Sequence, residues 1–276
     1  MVDGAPIPKL LYGTAWKEER SEALTALALA SGFRGIDTAN QRKHYFEAAV
    51  GRAVQAALAA GTVTRGELFL QTKFTFPGGQ DQRLPYDPQA PVSKQVAQSL
   101  HSSLAHFATP YVDSFVLHGP SSRGKLTHDD IEAWRAIEAE AAAGRARFIG
   151  VSNFTLEQLR ELLHLAVIAP RFVQNRCYAR TGWDRAVRQL CAEHGVVYQG
   201  FSLLTANRTE LSQPVVKALS QRTGRSPAEL VFRFARELGM LPLTGTSSEQ
   251  HMRLDLHALD VPLAPADVAL LERSFG

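Results

Sequence analysis

Three residues able to handle protons close three successive apolar runs. Asp37 follows FRGI, Lys73 follows LFLQT and His118 follows VDSFVL. An acid, a base and an imidazole brought together can move protons during a reaction. A lysine in such a place can also attack a carbonyl carbon and form a Schiff base. Taken singly, each residue has a plainer role: Asp37 and Lys73 as a structural ion pair, His118 as a hydrogen-bonded core residue. Their recurrence at matching ends of consecutive runs favours a shared site. Other chemistries lack their residues. GVSNF and GFSLL carry phenylalanine or leucine where a nucleophile elbow needs its last glycine. There is no HExxH and no Cys/His cluster at zinc spacing, so no metal site is expected.

The elements that must position these residues alternate along the chain. Strand patterns fall at Lys9–Gly13, Phe33–Thr38, Leu68–Phe74, Val112–His118, Arg147–Ser152, Phe172–Cys177, Val196–Ser202 and Met240–Gly245. Between them, stretches such as SEALTALALA, YFEAAVGRAVQAALAA, HDDIEAWRAIEAEAAA, TLEQLRELLHLA and DRAVRQLCAEHG repeat apolar residues at helical spacing. Thr155 before LEQLRELL, and Ser226-Pro227 before AELVFRFAREL, read as helix starts. Eight strand–helix units without an interrupting linker predict an α/β chain folded as a (β/α)8 TIM barrel, one domain over residues 1–276. An open doubly wound sheet competes, but no GxGxxG follows the first strand. Within a strand, Phe69, Gln71 and Lys73 share one face. Strand ends in such a barrel meet at one mouth, so the three residues converge there. The one long irregular piece, Thr75–Pro91, follows the third strand and reads as a functional loop.

Composition sets the class. The 276 residues are 45% hydrophobic and 21% charged, an ordinary globular balance. Thirty Lys+Arg against twenty-seven Asp+Glu leave a net charge of +3, too little for a chain held to nucleic acid by phosphate contacts. Two cysteines, Cys177 and Cys191, suit a reducing compartment better than a disulfide framework. MVDGAPIPKLLYG does not read as a secretory signal, and no apolar run reaches a membrane span. The expectation is a cytoplasmic protein with no nucleic-acid or membrane partner.

FRGIDTA, LFLQTKF, VDSFVLHGP and FIGVSNF, in this order, resemble the aldo-keto reductase family. The resemblance runs on from LLYGTAW through VQNRCY and YQGFSLL to LTGTSSEQHMRLDL. It implies a (β/α)8 barrel that binds NADPH, with NADH possible, and no Rossmann domain. It also implies reduction of an aldehyde or ketone by hydride from the nicotinamide and a proton from a tyrosine. Lys73 matches the family's lysine, which is expected to lower the tyrosine's pKa by opposite charge. Asp37 matches its partner aspartate, and His118 the histidine that orients the carbonyl. The tyrosine is displaced. The family's DTAxxY pattern meets Arg42 here, within DTANQRKHYFEAAVG. Counting back from Glu47, Val50 and Gly51 lands on His44, with Tyr45 beside it. Tyr45 is the expected proton donor, with His44 as the alternative.

The resemblance also implies cofactor positions. Ser152 and Asn153 would hold the carboxamide, together with Gln174 or Asn175. Asn153 could equally be a turn residue in left-handed geometry. Phe201 would stack on the nicotinamide. Thr14, Ser202, Leu204 and Asp255 stand at further cofactor positions. Gly245, Thr246 and Ser247 lead into a helix whose free N–H groups suit a phosphate. NADPH-specific members carry a lysine and an arginine there; this chain offers Leu243 or Gly245, and His251. Trp16, Phe74, Phe76 and the long loop after the third strand are expected to line the pocket. Two other readings compete with a reductase, which would act on a small-molecule carbonyl as a monomer or weak homo-oligomer. One is a catalytically weak NADP(H)-binding regulatory subunit, the other a lyase using Lys73 as a Schiff base.

Overall fold

Alternating strands and helices close into a ring. The computed structural model describes residues 6–260 and 262–274; residues 1–5, where the reading for a secretory signal began, lie outside them. The strands are β1 Leu11–Gly13, β2 Gly35–Asp37, β3 Phe69–Phe74, β4 Val112–Leu117, β5 Ala146–Ser152, β6 Phe172–Arg176, β7 Val197–Phe201 and β8 Leu241–Thr244. They pair in parallel in that order, and β8 returns to β1, forming a closed barrel. Each expected strand is present. Five of the eight end one residue early because single bonds outlast the regular pairing, as where the His118 N–H donates to the Phe74 carbonyl at 2.8 Å.

Eleven helices fill the connections among the described residues: α1 Ser21–Ala30, α2 Glu47–Ala59, α3 Val92–Phe107, α4 His128–Ala142, α5 Leu156–Leu165, α6 Arg185–Glu193, α7 Arg208–Leu211, α8 Pro214–Thr223, α9 Pro227–Glu237, α10 Glu249–Ala258 and α11 Pro265–Arg273. The start signals hold: Thr155 and Ser226 cap α5 and α9, each reciprocated by the residue three positions on. No described helix is long and apolar enough to cross a membrane.

Alternation along each strand sorts side chains into two cores. Outward residues such as Leu70, Phe74, Phe115 and Leu117 pack under the helices. Inward residues Leu11, Phe69, Phe172, Leu241 and Leu243 form a smaller cluster inside the barrel. Gly150 is needed beside it, because a Cβ there would meet the Phe172 carbonyl oxygen at 2.6 Å. Above the apolar layer lies a polar one. Gln71, Gln174 and Gln199 exchange side-chain hydrogen bonds of 2.8–3.0 Å across the interior. Buried amides must be paired this way or destabilise the fold. That layer is the floor on which the barrel mouth is built.

Candidate active site

Asp37 sits on the polar floor. Its Oδ1 accepts from Lys73 Nζ at 2.6 Å, Gln71 Nε2 at 2.7 Å and Gln174 Nε2 at 3.0 Å. Lys73 is 0% exposed and also donates to the Thr38 carbonyl at 2.8 Å. Burial lowers its pKa, and the adjacent Asp37 carboxylate opposes that shift. The ion pair and the proposed site are therefore the same object.

Above it stand two rings. Tyr45 meets His118 edge to face, centroids 5.7 Å apart, and Lys73 Nζ lies 5.3 Å from the Tyr45 centroid. His118 Nδ1 is 2.7 Å from Thr75 Oγ1. Burial, helped by Lys73 and then His44, pushes the His118 pKa well below the usual histidine value, so the ring is neutral at neutral pH. Its other nitrogen is left for the mouth. Tyr45 departs from the expectation of a lowered phenol pKa. Its pKa is raised, first by burial and then by Asp37. The Lys73 ammonium gives its bonds to Asp37 and Thr38, so its charge is largely compensated before it reaches the phenol.

The local fold explains why Tyr45, and not His44, faces the mouth. Glu47 opens α2 as a buried carboxylate. It accepts from Thr72 of β3, from Ser103 at 2.9 Å and pairs with His106 Nδ1 at 2.8 Å. Thr72 precedes Lys73, and Glu47 lies two residues past Tyr45, so this knot sets one against the other. The His44 carbonyl accepts from the Trp16 N–H at 2.8 Å and its ring stacks on Trp16 at 4.1 Å. His44 does not line the cleft.

The cleft has a volume of about 710 Å³, well within the range of a small-molecule site. It runs from Asp37, Tyr45 and His118 past Ser152, Asn153, Gln174, Phe201, Ser202 and Leu204 to Gly245, Thr246, His251 and Asp255. Ser152 Oγ donates to the Gln174 carbonyl at 2.7 Å, and Asn153 Nδ2 to the His118 carbonyl at 2.8 Å. Asn153 (φ 60°), Ser202 (φ 57°) and Trp16 (φ 61°) all adopt left-handed backbone at the mouth. Such strain concentrates where function demands a fixed geometry. Asn153 is thus both a turn residue and a wall of the cleft. Asn175 is spent elsewhere, on Phe154 and Asp184, which leaves Gln174 as the cleft amide.

Several expectations need correction. Thr14 is fully buried and turns both its N–H and its hydroxyl to the Asp37 carbonyl at 3.0 Å, so it braces Asp37 and does not face the cleft. Ser247 is exposed and outside the cleft lining; Ser248 is the residue that caps α10. Phe74 belongs to the outer core and Phe76 packs on it, so of the three aromatics only Trp16 lines the cleft. The loop after β3 lines instead a smaller cavity of about 280 Å³ on the far side of Tyr45.

Residues not singled out from sequence also matter. Arg176 lines the cleft on the face that Phe172 and Gln174 share. The two-residue alternation was the signal for it. Lys17, largely buried, reaches from the loop after β1 to the Gly245 carbonyl. Burial and then Arg20 lower its pKa. At the same end, burial raises the Asp255 carboxyl to about 6 while Thr244 donates to it at 2.7 Å.

The family model for the Aldo/keto reductase family matches residues 9–274. "Aldo-keto reductase" of Mycolicibacterium vanbaalenii is 31% identical over 268 residues, covering 97% of this chain and 87% of that protein. "Prostaglandin F synthase 1" of Bos taurus is 27% identical over 301 residues, covering 98% and 88%. The crystal structure of an aldo/keto reductase from Brucella melitensis superposes with a TM-score of 0.82 at 24% identity, over 99% of this chain and 97% of that one.

Proposed function

This chain belongs to the aldo/keto reductase family and is an oxidoreductase; we propose that it reduces a small aldehyde or ketone with NADPH or NADH, using Tyr45 as the proton donor. What carries the reading is the meeting of Tyr45, His118 and the Asp37–Lys73 pair at one end of a cleft. The cleft's other end supports a dinucleotide. Gly245, Thr246 and the capped start of α10 suit a phosphate, and Phe201 with Gln174, Ser152 and Asn153 suits a flat carboxamide-bearing ring.

A bound reduced nicotinamide supplies the hydride. The chain's residues manage everything else. His118, neutral, offers a ring N–H to the carbonyl oxygen and fixes its direction. Tyr45 hands its phenolic proton to that oxygen as negative charge develops. A phenol held protonated by burial suits this role, because an alkoxide is still the far stronger base. Asp37 neutralises Lys73 and keeps it seated beneath the ring. The Schiff-base reading loses support on the same geometry: Lys73 is 0% exposed, donates to two acceptors and is not part of the cleft lining.

On cofactor choice, Asp255 would set a buried carboxylate near a 2′-phosphate bound at this end of the cleft, while Lys17 reaches the Gly245 carbonyl from behind. The proposal is therefore use of both dinucleotides. A cytoplasmic location goes with it, supported by two free, buried thiols, Cys177 and Cys191. The test is the loss of reduced-nicotinamide absorbance when aldehydes and ketones are added, alongside dinucleotide binding followed by protein fluorescence. Turnover with either dinucleotide bears out the reading. Tight binding without turnover across the panel replaces it with a regulatory subunit.

A further inference from the structure

We infer that Arg176 is an anion-recognition residue of the cleft, which makes carbonyl compounds bearing a carboxylate or phosphate the preferred substrates; the substrate half of this inference rests on the reductase reading above.

Among the described residues that line the cleft, Arg176 is the only lysine or arginine. Asp37 is neutralised by Lys73 beneath it. Arg176 has no such partner: among the described residues its side chain makes no ion pair or hydrogen bond, and it lies over the Tyr178 ring, whose centroid is 5.9 Å from the guanidinium carbon. Arg180 lies over the same ring at 4.9 Å, also without a carboxylate. Further along the same connection the arrangement changes, since Arg185 and Arg188 both pair with Glu272. Glu272 of α11 thus neutralises two arginines of α6, while the cleft arginine has no carboxylate partner among the described residues.

Arg176 is the last residue of β6, so a rigid strand aims it, on the face that carries Gln174. His118 follows β4, two strands away, which puts the two backbones roughly 10 Å apart around the rim. A guanidinium arm covers much of that distance. A molecule whose carbonyl meets Tyr45 and His118 can therefore place an anion several bonds away against the Arg176 fork, which suits carboxylate and phosphate oxygens in pairs. The dinucleotide's pyrophosphate offers the same chemistry from a second source.

The test uses the full chain with Arg176→Gln and Arg176→Lys, and the substrates para-carboxybenzaldehyde and benzaldehyde. A partly solvated charge-assisted pair predicts that the ratio of kcat/KM, anionic over neutral, falls about five- to tenfold in R176Q, mainly through KM, and recovers only in part in R176K, which restores the charge but not the fork. Dinucleotide Kd is read in parallel from tryptophan fluorescence. If Kd weakens about fivefold while the ratio holds, the anion recognised is the pyrophosphate. If ratio and Kd both stay within about twofold of wild type, the inference is overturned. Should the wild type reduce neither aldehyde, it is the reductase reading that fails. The binding of para-(hydroxymethyl)benzoate and of NADPH then decides Arg176: weaker binding of either by R176Q upholds it, and unchanged binding of both removes it.

Discussion

Replacing Asp37 by asparagine isolates the charge that seats Lys73. The amide oxygen of asparagine can still accept from Gln71 and Gln174, which now reach Asp37 at 2.7 and 3.0 Å. Only the carboxylate charge, 2.6 Å from Lys73 Nζ, is lost. Removing one member of a buried pair costs about 3–5 kcal/mol, because the other is left uncompensated. Lys73 can escape by shedding its proton. Holding a lysine neutral at about pH 7 costs roughly 4–5 kcal/mol relative to the unfolded chain, so both routes give a similar loss. The pH dependence identifies the cause. In the variant the folded Lys73 pKa lies below its unfolded value, so the unfolded state binds more protons and stability rises with pH. Urea unfolding followed by circular dichroism should show the largest deficit near pH 7, shrinking as pH approaches about 10. A deficit below about 1 kcal/mol, or one flat in pH, would refute the reasoning.

Asp255→Asn should act in the opposite sense. The native carboxyl is raised from 3.8 to about 6, so the folded state holds its proton more tightly than the unfolded one. That costs stability as pH rises through this window, up to about 3 kcal/mol. The variant should be more stable than wild type at about pH 8 and equal to it near pH 4, by thermal unfolding. Glu47→Gln weakens the knot between Thr72, Ser103 and His106 that sets Tyr45 against Lys73. It should cost about 1–3 kcal/mol of stability and lower kcat more than it raises KM in steady-state kinetics. Because burial raises the Tyr45 phenol, reduction should be nearly flat across neutral pH. Alcohol oxidation, which needs the phenolate, should climb with pH without a neutral plateau; a plateau would mean a different base.

Much of this was legible in the sequence because its physics is local. Strand ends carrying Asp37, Lys73 and His118 follow from apolar runs and a two-residue alternation, and the capped starts of α5 and α9 from the residue types at 155 and 226. What was not legible depends on contacts distant in sequence. The choice between His44 and Tyr45 is made by Glu47 reaching Ser103 and His106, over fifty residues on. Thr14 has a family position but turns inward because the Asp37 carbonyl is within reach. Ser247 lies just before the cap of α10 and points to solvent, outside the cleft lining. That Arg176 lines the cleft with no carboxylate beside it is likewise set by which distant acids come near, as Glu272 does to Arg185 and Arg188.

The central claim, that the Tyr45 hydroxyl delivers the proton, is tested most directly by single-turnover reduction of an aldehyde by Tyr45→Phe. Phenylalanine keeps the ring that packs 5.7 Å from His118 and removes only the oxygen. The account predicts a fall of at least about a hundredfold in the rate of the chemical step, with dinucleotide Kd within about twofold of wild type. A rate within a few-fold of wild type in Tyr45→Phe, with the loss appearing in His44→Ala instead, would contradict it.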